Sequence, residues 1–304
     1  MRNVHSLILA FPLCVVAIGC AGCGVNGPAK GKPSGGWYKG PTLAMTDVVQ
    51  RINQNNQELP TLWASHGYKA SVVDEHKKSH TFTGSGALLY RGPREMRLIG
   101  NKEVVGTIFE VGSTNDRFWL KLVPEMDTMW WGNYRNLGKP CAQEIPLRPD
   151  LVVEVLGVGV IDTNFTSLPA PTMRFNHERD AYMFVWNAPL PDRWVSVKEV
   201  WYDRATLRPV RVFLYDANGR VLVRAELANH RQVEVNGLPR ERWPVVAGEF
   251  RLFFPESGTT MELDLREIML SKRGSPPRGL AFPDPRRAGV ERVVQIDEAC
   301  EGER

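Results

Sequence analysis

Cysteine is the residue type in this chain with the clearest chemical role to consider, and three of the five cysteines fall within the first 23 residues. Cys14 lies inside an apolar segment over residues 7–18, whereas Cys20 and Cys23 follow that segment among glycine and alanine. The segment is preceded by Arg2 and is shorter than the ~20 residues that span a bilayer as a permanent helix. This order of charge, apolar segment and small residues is typical of a secretory signal peptide.

The cysteines after the apolar segment resemble the lipobox of bacterial lipoproteins, in which a cysteine is diacylated and becomes the first residue of the mature protein. Ala17-Ile18-Gly19 before Cys20 places small or aliphatic residues at the required positions. In the alternative register, Cys23 is modified and Cys20 stands where an aliphatic residue is usual. We therefore expect a signal peptide over residues 1–19 and a lipid anchor on Cys20, with Cys23 as the alternative. A signal peptide with incidental, unmodified cysteines is the remaining interpretation.

The lipobox resemblance also implies a location. A cysteine that carries more than one acyl chain stays in a membrane, and Cys20 is followed by Ala21 rather than by the aspartate that retains enterobacterial lipoproteins at the inner membrane. We expect a bacterial cell-envelope protein that is lipid-anchored to the outer membrane and faces the periplasm. In that oxidising compartment Cys141 and Cys300 could form a disulfide or remain free.

The composition predicts a folded domain rather than a nucleic-acid-binding or unstructured chain. The 304 residues are 43% hydrophobic and include nine tryptophans, whereas unstructured segments are poor in aromatic residues. The formal charge of +4 comes from 38 basic and 34 acidic residues that are spread along the chain. A basic patch of the kind that binds nucleic acid is therefore not indicated.

The pattern along the chain predicts four parts. After the signal peptide, residues 20–41 are rich in Gly, Pro, Lys and Ser, which is typical of a flexible spacer. A domain over residues 42–270 begins with a helix at Thr46–Leu59, for which Thr46 is the expected N-cap. Strand candidates follow, interrupted by a short helix that starts at Pro149. Residues 271–304 form an irregular tail rich in Pro and Arg, with one last strand or helix expected over residues 290–296.

The strand candidates alternate between apolar and polar residues, which indicates antiparallel sheet with one buried and one wet face. In the segment from Met261 to Arg266, for example, every second residue is apolar. The pair Asn218-Gly219 between two such segments predicts a hairpin with a type I′ turn, which needs two positive φ values. We expect a mainly β fold with some helix, built on one large curved antiparallel sheet.

The order of these elements resembles the bacterial lipoprotein-carrier superfamily, whose members include the carrier LolA and the outer-membrane receptor LolB. The resemblance covers residues 42–270 and rests on consecutive strand segments such as GALLYRGPREMRLIG, GTIFEVGSTNDRFWLKLVPEMDTMWWGNY and VWYDRATLRPVRVFLYDANGRVLVRAEL. It implies an unclosed half-barrel with a helical lid, whose concave apolar face takes acyl chains. A curved sheet too wide to be filled by its own side chains leaves a cavity.

The resemblance implies a set of apolar residues that line this cavity. The candidates are Phe118, Leu120, Leu122, Val212, Leu214, Val221, Val223, Phe250, Leu252, Met261, Leu263 and Leu265. Taken singly, such residues are more often ordinary core than ligand lining, and both interpretations stay open.

The family's receptor also presents an exposed leucine before a glycine on a loop between two early strands, where it handles the membrane or the cargo. The matching loop here is residues 101–106, with Val105 in the place of the leucine and Val104 beside it. Valine is smaller than leucine, and Lys102 and Glu103 precede the pair, so an ordinary hairpin turn is the alternative.

Signatures of catalysis and of metal binding are lacking in the sequence. We find no HExxH, GxSxG, P-loop or paired CxxC motif, and Gly157-Val158-Gly159 lacks the rest of a dinucleotide fingerprint. His76 and His80 have two lysines between them, which would repel a cation. We therefore expect no catalytic residues, no metal and no cofactor.

The leading hypothesis is a membrane-anchored, non-enzymatic protein that holds lipid or the acyl chains of lipoproteins in its half-barrel, with lipoprotein sorting as one such role. The alternative is a structural or interaction lipoprotein of an envelope complex, which uses the curved sheet to bind a protein partner.

Overall fold

The structure is a computed structural model of the chain, and it describes residues 37–73, 79–124, 126–137, 139, 141, 145, 148–270 and 279–301. The predicted signal peptide, Cys20, Cys23, most of the predicted spacer and His76 lie outside these residues. Within them, no helix is both long enough and apolar enough to span a membrane.

The described chain forms two α-helices, sixteen strands and four short 3-10 turns. In chain order the elements are α1 (Met45–Asn56), β1 (Thr61–Val73), β2 (Ser79–Arg91), β3 (Glu95–Lys102), β4 (Gly106–Ser113), β5 (Arg117–Leu122), β6 (Thr128–Asn133), α2 (Pro149–Val155), β7 (Ala170–Asn176), β8 (Ala181–Pro189), β9 (Trp194–Asp203), β10 (Pro209–Tyr215), β11 (Val221–Ala228), β12 (Arg231–Gln232), β13 (Val245–Val246), β14 (Glu249–Phe254), β15 (Thr259–Met269) and β16 (Arg292–Gln295). The 3-10 turns are Tyr134–Asn136, Arg240–Arg242, Pro285–Arg287 and Glu298–Glu301.

Fourteen of the strands form one curved sheet in the order β16-β6-β5-β4-β3-β2-β1-β15-β14-β11-β10-β9-β8-β7. The two runs of consecutive antiparallel strands meet where β1 pairs with β15, so that the first strand of the domain lies at the centre. The sheet does not close, because β7 and β16 form its two ends. The prediction of a large, unclosed and mainly antiparallel curved sheet is confirmed.

The concave face of the sheet carries the core, and the sequence alternation explains why. Register pairs run across the sheet from Leu120 and Val111 to Leu263 and Phe250, and all four side chains are buried. One face is thus apolar over both runs of strands, and it has to be covered.

Two helices cover this concave face. Helix α2 contacts β4 and β5 on one side and β10 on the other, so it lies across the hollow. Its residues Leu151, Val152, Val153 and Val155 are buried, whereas Glu154 faces away from the core and is exposed. The short helix therefore fills the interior with aliphatic side chains and presents one carboxylate outward.

Helix α1 is held by polar side chains as well as by its apolar face. Asn53 exchanges hydrogen bonds with the backbone of Ile161, which donates its N–H to Asn53 Oδ1 and accepts from Asn53 Nδ2, each at 2.8 Å. Val48, Val49 and Ile52 are buried. Because the Asn53 amide binds the backbone of Ile161 in the loop after α2, the two helices form a common cover over the sheet.

The start of α1 differs from the prediction. Thr46 is not the N-cap; the helix begins at Met45, after Ala44, and no side chain caps it. The entering chain is held instead by a tertiary contact, since the backbone N–H of Leu43 donates to the Tyr182 hydroxyl at 2.8 Å.

The hairpin between β10 and β11 lies where Asn218-Gly219 predicted it, but its turn is of a different kind. Gly219 has φ +78°, whereas Asn218 is not in the positive-φ region. Asp216 and Arg220 close the loop through a backbone hydrogen bond of 2.9 Å. A three-residue loop that ends in a left-handed glycine is also compatible with the twist of the two strands. It requires positive φ at one residue, whereas a type I′ turn requires it at two.

The described part of the C-terminal segment, residues 279–301, packs against the first run of strands. Strand β16 pairs in parallel with β6, and the Phe282 ring lies edge-on to Trp119 at 5.7 Å. Cys141 and Cys300 are joined by a disulfide, with their Cα atoms 5.3 Å apart. The segment therefore covers the outer face and the edge of β3–β6.

Candidate functional site

A cleft of about 1140 Å³ opens at one end of the concave face. Tyr90 and Pro93 border it from the first run of strands, and Trp186, Lys198 and Leu214 border it from the second. In the sheet, Lys198 pairs with Trp186 and with Leu214, so these three side chains belong to one row on the concave face. The cleft is thus the accessible mouth of the half-barrel, between its two runs of strands.

A charged pair lies at this mouth. Lys198 Nζ on β9 donates to Glu154 Oε2 on α2 at 2.5 Å, and the same ammonium lies 4.9 Å from the centre of the Trp186 ring. The pair is accessible, because the Glu154 side chain is 49% exposed and Lys198 27% exposed. It ties α2 to the second run of strands and leaves a cation beside an aromatic face.

Electrostatics at the mouth favour charged Glu154 and neutral phenols. The ammonium of Lys198 lowers the pKa of the Glu154 carboxyl below its ordinary value, against the effect of burial. Burial raises the pKa of Tyr90 to about 12, and the nearby Glu154 charge adds to this effect. Burial likewise raises the pKa of Tyr202. These tyrosines therefore remain protonated, and their hydroxyls can donate a hydrogen bond.

The loop after α2 supplies an apolar wall. Val160 is 55% exposed and Leu168 is 56% exposed, and both line the cleft together with Val158 and Pro169. Exposed large aliphatic side chains that share one cleft are typical of binding sites. The sequence did not indicate these residues, because they lie in irregular segments where alternation gives no signal.

The predicted cavity-lining residues lie mostly in the core rather than at the cleft. Of the set, Leu214 alone lines the cleft in the described structure. The buried members are Phe118, Leu120, Val212, Leu214, Val223, Phe250, Leu252, Met261, Leu263 and Leu265, and Leu122 and Val221 are half-buried. Except for Phe118 and Val221, these side chains belong to one cluster with α1 and α2, which cover this part of the concave face. Phe118 contacts the Tyr134 ring instead, at 5.2 Å between ring centres.

The loop between β3 and β4 presents the two predicted valines at its tip. Val104 is fully exposed and Val105 is 51% exposed. Val104 also has φ +72°, a conformation that a β-branched residue rarely adopts. The tip is therefore an apolar and locally strained protrusion. An ordinary hairpin turn would carry glycine or asparagine, rather than valine, at a position with positive φ.

Within the described residues, no group of three or more His, Cys, Asp or Glu side chains is placed to hold a metal ion. The buried His66 on β1 is a separate feature. It is 1% exposed, and neither ring nitrogen makes a hydrogen bond of good geometry. Burial lowers its pKa against the opposing effect of the nearby backbone of Ile99, Gly67 and Ala87. It is a neutral core side chain in this arrangement.

Comparison with known proteins gives matches at the level of structure. No family model and no curated protein sequence matches the chain. An outer membrane lipoprotein-sorting protein domain from Vibrio parahaemolyticus is 14% identical with a TM-score of 0.46, over 77% of this chain and 95% of that one. A DUF1329 family protein from Desulfovibrio piger is 13% identical with a TM-score of 0.48, over 76% and 93%.

A LolA superfamily protein from Nitrosomonas europaea is 13% identical with a TM-score of 0.45, over 76% of this chain and 94% of that one. The structures to which the chain is similar thus include one described as a LolA superfamily protein and one described as a lipoprotein-sorting domain.

Proposed function

We propose that the protein is a non-enzymatic lipid-binding protein of the cell envelope, which takes an acyl chain of a lipid or lipoprotein into the mouth of its half-barrel. The observation that carries the proposal is the cleft itself. It is larger than the ~300–1,000 Å³ of most small-molecule pockets, and it joins exposed aliphatic side chains, Val160 and Leu168, to an accessible cation at Lys198.

The arrangement of the mouth suggests how an acyl chain is held. The hydrocarbon lies along Val160, Leu168, Leu214 and the Trp186 ring, where its burial contributes about 0.8 kcal/mol per methylene group. The polar end lies near Lys198, whose ammonium binds a carboxylate or phosphate oxygen in competition with Glu154. Helix α2 covers the deeper concave face.

A protein-binding role is the second candidate, and one observation favours it. The deep part of the hollow is filled, since Leu120, Leu263 and their neighbours pack under the helices in one continuous cluster. A sheet whose interior is filled by its own side chains serves as a rigid support for a partner. Titration with a lipid distinguishes the two candidates.

The test of the lipid-binding proposal is titration of the full-length, delipidated protein with a fluorescent fatty acid. We expect saturable binding by the wild-type protein. Val160→Asp and Leu168→Asp should weaken it at least tenfold, because each places a carboxylate in the apolar wall without disturbing the core. Val293→Asp is the matched control, since Val293 is 42% exposed and lies on β16, outside the cleft. Absence of saturable binding by the wild-type protein would support the protein-binding role.

We also propose that the domain is anchored through a lipid on Cys20 and faces the periplasm from the outer membrane. The support is the fit of Ala17-Ile18-Gly19 to the cleavage register. Cys20→Ala should abolish incorporation of labelled palmitate and release the protein from the membrane fraction, whereas Cys23→Ala should change neither. The reverse result would assign the anchor to Cys23.

The tip formed by Val104 and Val105 is proposed as the part of the domain that touches the membrane or the cargo. Its exposed valines and the positive φ of Val104 support this role, because strained residues persist mainly where function requires them.

A further inference from the structure

A second, smaller cavity lies on the side of the domain where the N-terminal chain enters. It measures about 340 Å³ and lies between α1, the entering chain and the turn that joins β9 to β10. Three arginines line it, namely Arg51, Arg204 and Arg208, and no carboxylate is among its described lining residues. The cavity is therefore a concentration of positive charge in a chain whose charges are otherwise mixed.

One of the three arginines is committed to holding the entering chain. Arg204 donates to Asp180, to the carbonyl oxygens of Tyr38 and Gly40, and to the Thr42 hydroxyl, at distances of 2.9 to 3.3 Å. Its guanidinium also lies 5.3 Å from the centre of the Tyr38 ring. Arg204 fixes residues 38–42 against the domain and defines one wall of the cavity.

The turn between β9 and β10 is also well ordered. The Asp203 carboxylate accepts from the backbone N–H of Thr206 at 2.8 Å and from its hydroxyl at 2.7 Å. Leu207 has φ +56°, and its N–H donates to the Asp203 carbonyl at 2.8 Å. The backbone that carries Arg208 is thus fixed by local hydrogen bonds.

Arg51 and Arg208 differ from Arg204 in having no partner. Neither guanidinium makes a hydrogen bond or ion pair with any described residue; Arg51 is exposed, whereas Arg208 is half-buried. Burial lowers the pKa of Arg208, and the Asp203 charge only partly opposes this effect. A half-buried cation without a hydrogen-bonded counter-charge is costly, and a bound anion would offset that cost.

We propose that Arg51 and Arg208 form a binding site for a phosphate group, carried either by an anionic lipid headgroup or by a small free anion. Guanidinium groups match the geometry of phosphate oxygens and bind them through paired hydrogen bonds. The turn presents Arg208, helix α1 presents Arg51, and the Gln54 amide adds a polar group to the same cavity. The Asn55 amide is already hydrogen-bonded to Asn56 and Val245.

The position of the cavity makes a lipid headgroup an accessible source. Tyr38 and Leu43 line it, so it lies directly beside the point where the chain from the predicted anchor enters the domain. A flexible spacer of the predicted length places this point on average about 25 Å from the membrane. Binding of a headgroup would orient the domain on the bilayer in addition to tethering it.

The test uses the full-length protein in micelles of a non-ionic sugar detergent, which carries no phosphate, and thermal unfolding as the readout. We would compare these micelles, the same micelles with 10 mM inorganic phosphate in place of chloride at equal ionic strength, and micelles that contain phosphatidylglycerol. The variant is Arg51→Gln/Arg208→Gln. The matched control is Arg193→Gln/Arg287→Gln, which removes two exposed arginines elsewhere.

We expect phosphatidylglycerol, inorganic phosphate or both to raise the wild-type unfolding midpoint by about 2 °C or more. The Arg51→Gln/Arg208→Gln variant should lose this shift and the control should keep it. A shift with phosphatidylglycerol alone assigns the site to a lipid headgroup, and a shift with inorganic phosphate assigns it to a free anion. The proposal is overturned when neither medium shifts the wild type, or when the variant shifts as much as the wild type.

Discussion

The concave face of the sheet has two regions that differ in what covers them. The packed interior, represented by Leu120, Leu263 and His66, lies out of contact with solvent. The mouth, represented by Trp186 and Lys198, borders the cleft. Both regions are built from the same alternation of inward and outward residues, so the alternation by itself does not separate core from binding surface.

The difference between the two regions comes from the helical cover. Helix α2 is seven residues long, which is too short to extend over the whole hollow. Where it ends, the chain turns through Gly157 at φ +69° into the loop that carries Val160. The mouth opens along α2 and this loop, since residues from Arg148 to Glu154 line the cleft together with Val160.

The largest expected effect is at the packed interior. Leu263→Glu should destabilise the domain by several kcal/mol, because Leu263 is 4% exposed and its replacement buries an unpaired charge. Chemical denaturation measures the change. Thr260→Glu, which adds the same charge at an exposed position of β15, should stay within about 0.5 kcal/mol of the wild type. A folded Leu263→Glu protein with impaired lipid binding would show that the interior is open.

The second-largest effect is expected in the pH dependence of stability, which depends on the buried histidine of the packed interior. Burial lowers the pKa of His66 from 6.5, so below pH 6.5 the unfolded state binds a proton that the folded state does not. Stability should therefore fall as the pH falls from 6.5 towards the folded pKa, and His66 should contribute up to about 1.4 kcal/mol per pH unit to this slope. Burial also lowers the pKa of His230, so His66→Phe should reduce this slope without abolishing it. An unchanged slope in that variant would place His66 in contact with water.

A third effect is expected at the hairpin that frames the mouth. Gly219→Val should destabilise the domain by about 1 kcal/mol or more, because φ is +78° at this position and a β-branched residue is disfavoured there. Asn218→Val, at the neighbouring position without positive φ, should cost clearly less. Thermal unfolding measures both changes. Equal destabilisation at the two positions would indicate the type I′ turn that the sequence predicted.

The smallest effect is expected at the ion pair of the mouth. Glu154→Gln should cost about 0.2–1 kcal/mol at pH 7, since both partners are accessible to solvent and such pairs contribute little. Lys198 lowers the Glu154 pKa, so the contribution is present above the ordinary pKa of 4.5 and is lost as the pH falls through the lower, folded value. A cost that persists in a Lys198→Met background would mean that Glu154 acts through another contact.

Much of the fold could be predicted from the sequence. Alternation along segments such as that around Met261 indicated antiparallel sheet with one buried face, and Pro149 marked the start of α2. The start of β1 at Thr61 and the strand β7 were not predicted. The segment APTMRFN of β7 carries a proline and no regular alternation, so its strand geometry depends on pairing with β8.

The site was less predictable than the fold, for a physical reason. The sequence shows which residues face inward, but not where a seven-residue helix stops covering them. The strand patterns over residues 182–186 and 209–215 include Trp186 and Leu214, yet only the position of these side chains beside α2 places them at the cleft. Val160 and Leu168 lie in loops without periodicity, so their contribution could be seen only in three dimensions.

Photo-crosslinking tests the central claim most directly. Full-length, delipidated protein would be incubated with a diazirine-bearing palmitate, irradiated, digested and mapped by mass spectrometry. We expect labelled peptides from the loop around Val160 and Leu168 and from β8 around Trp186. An excess of unmodified palmitate should reduce this labelling. Absence of competed labelling, or labelling confined to the outer face of the sheet, would contradict it.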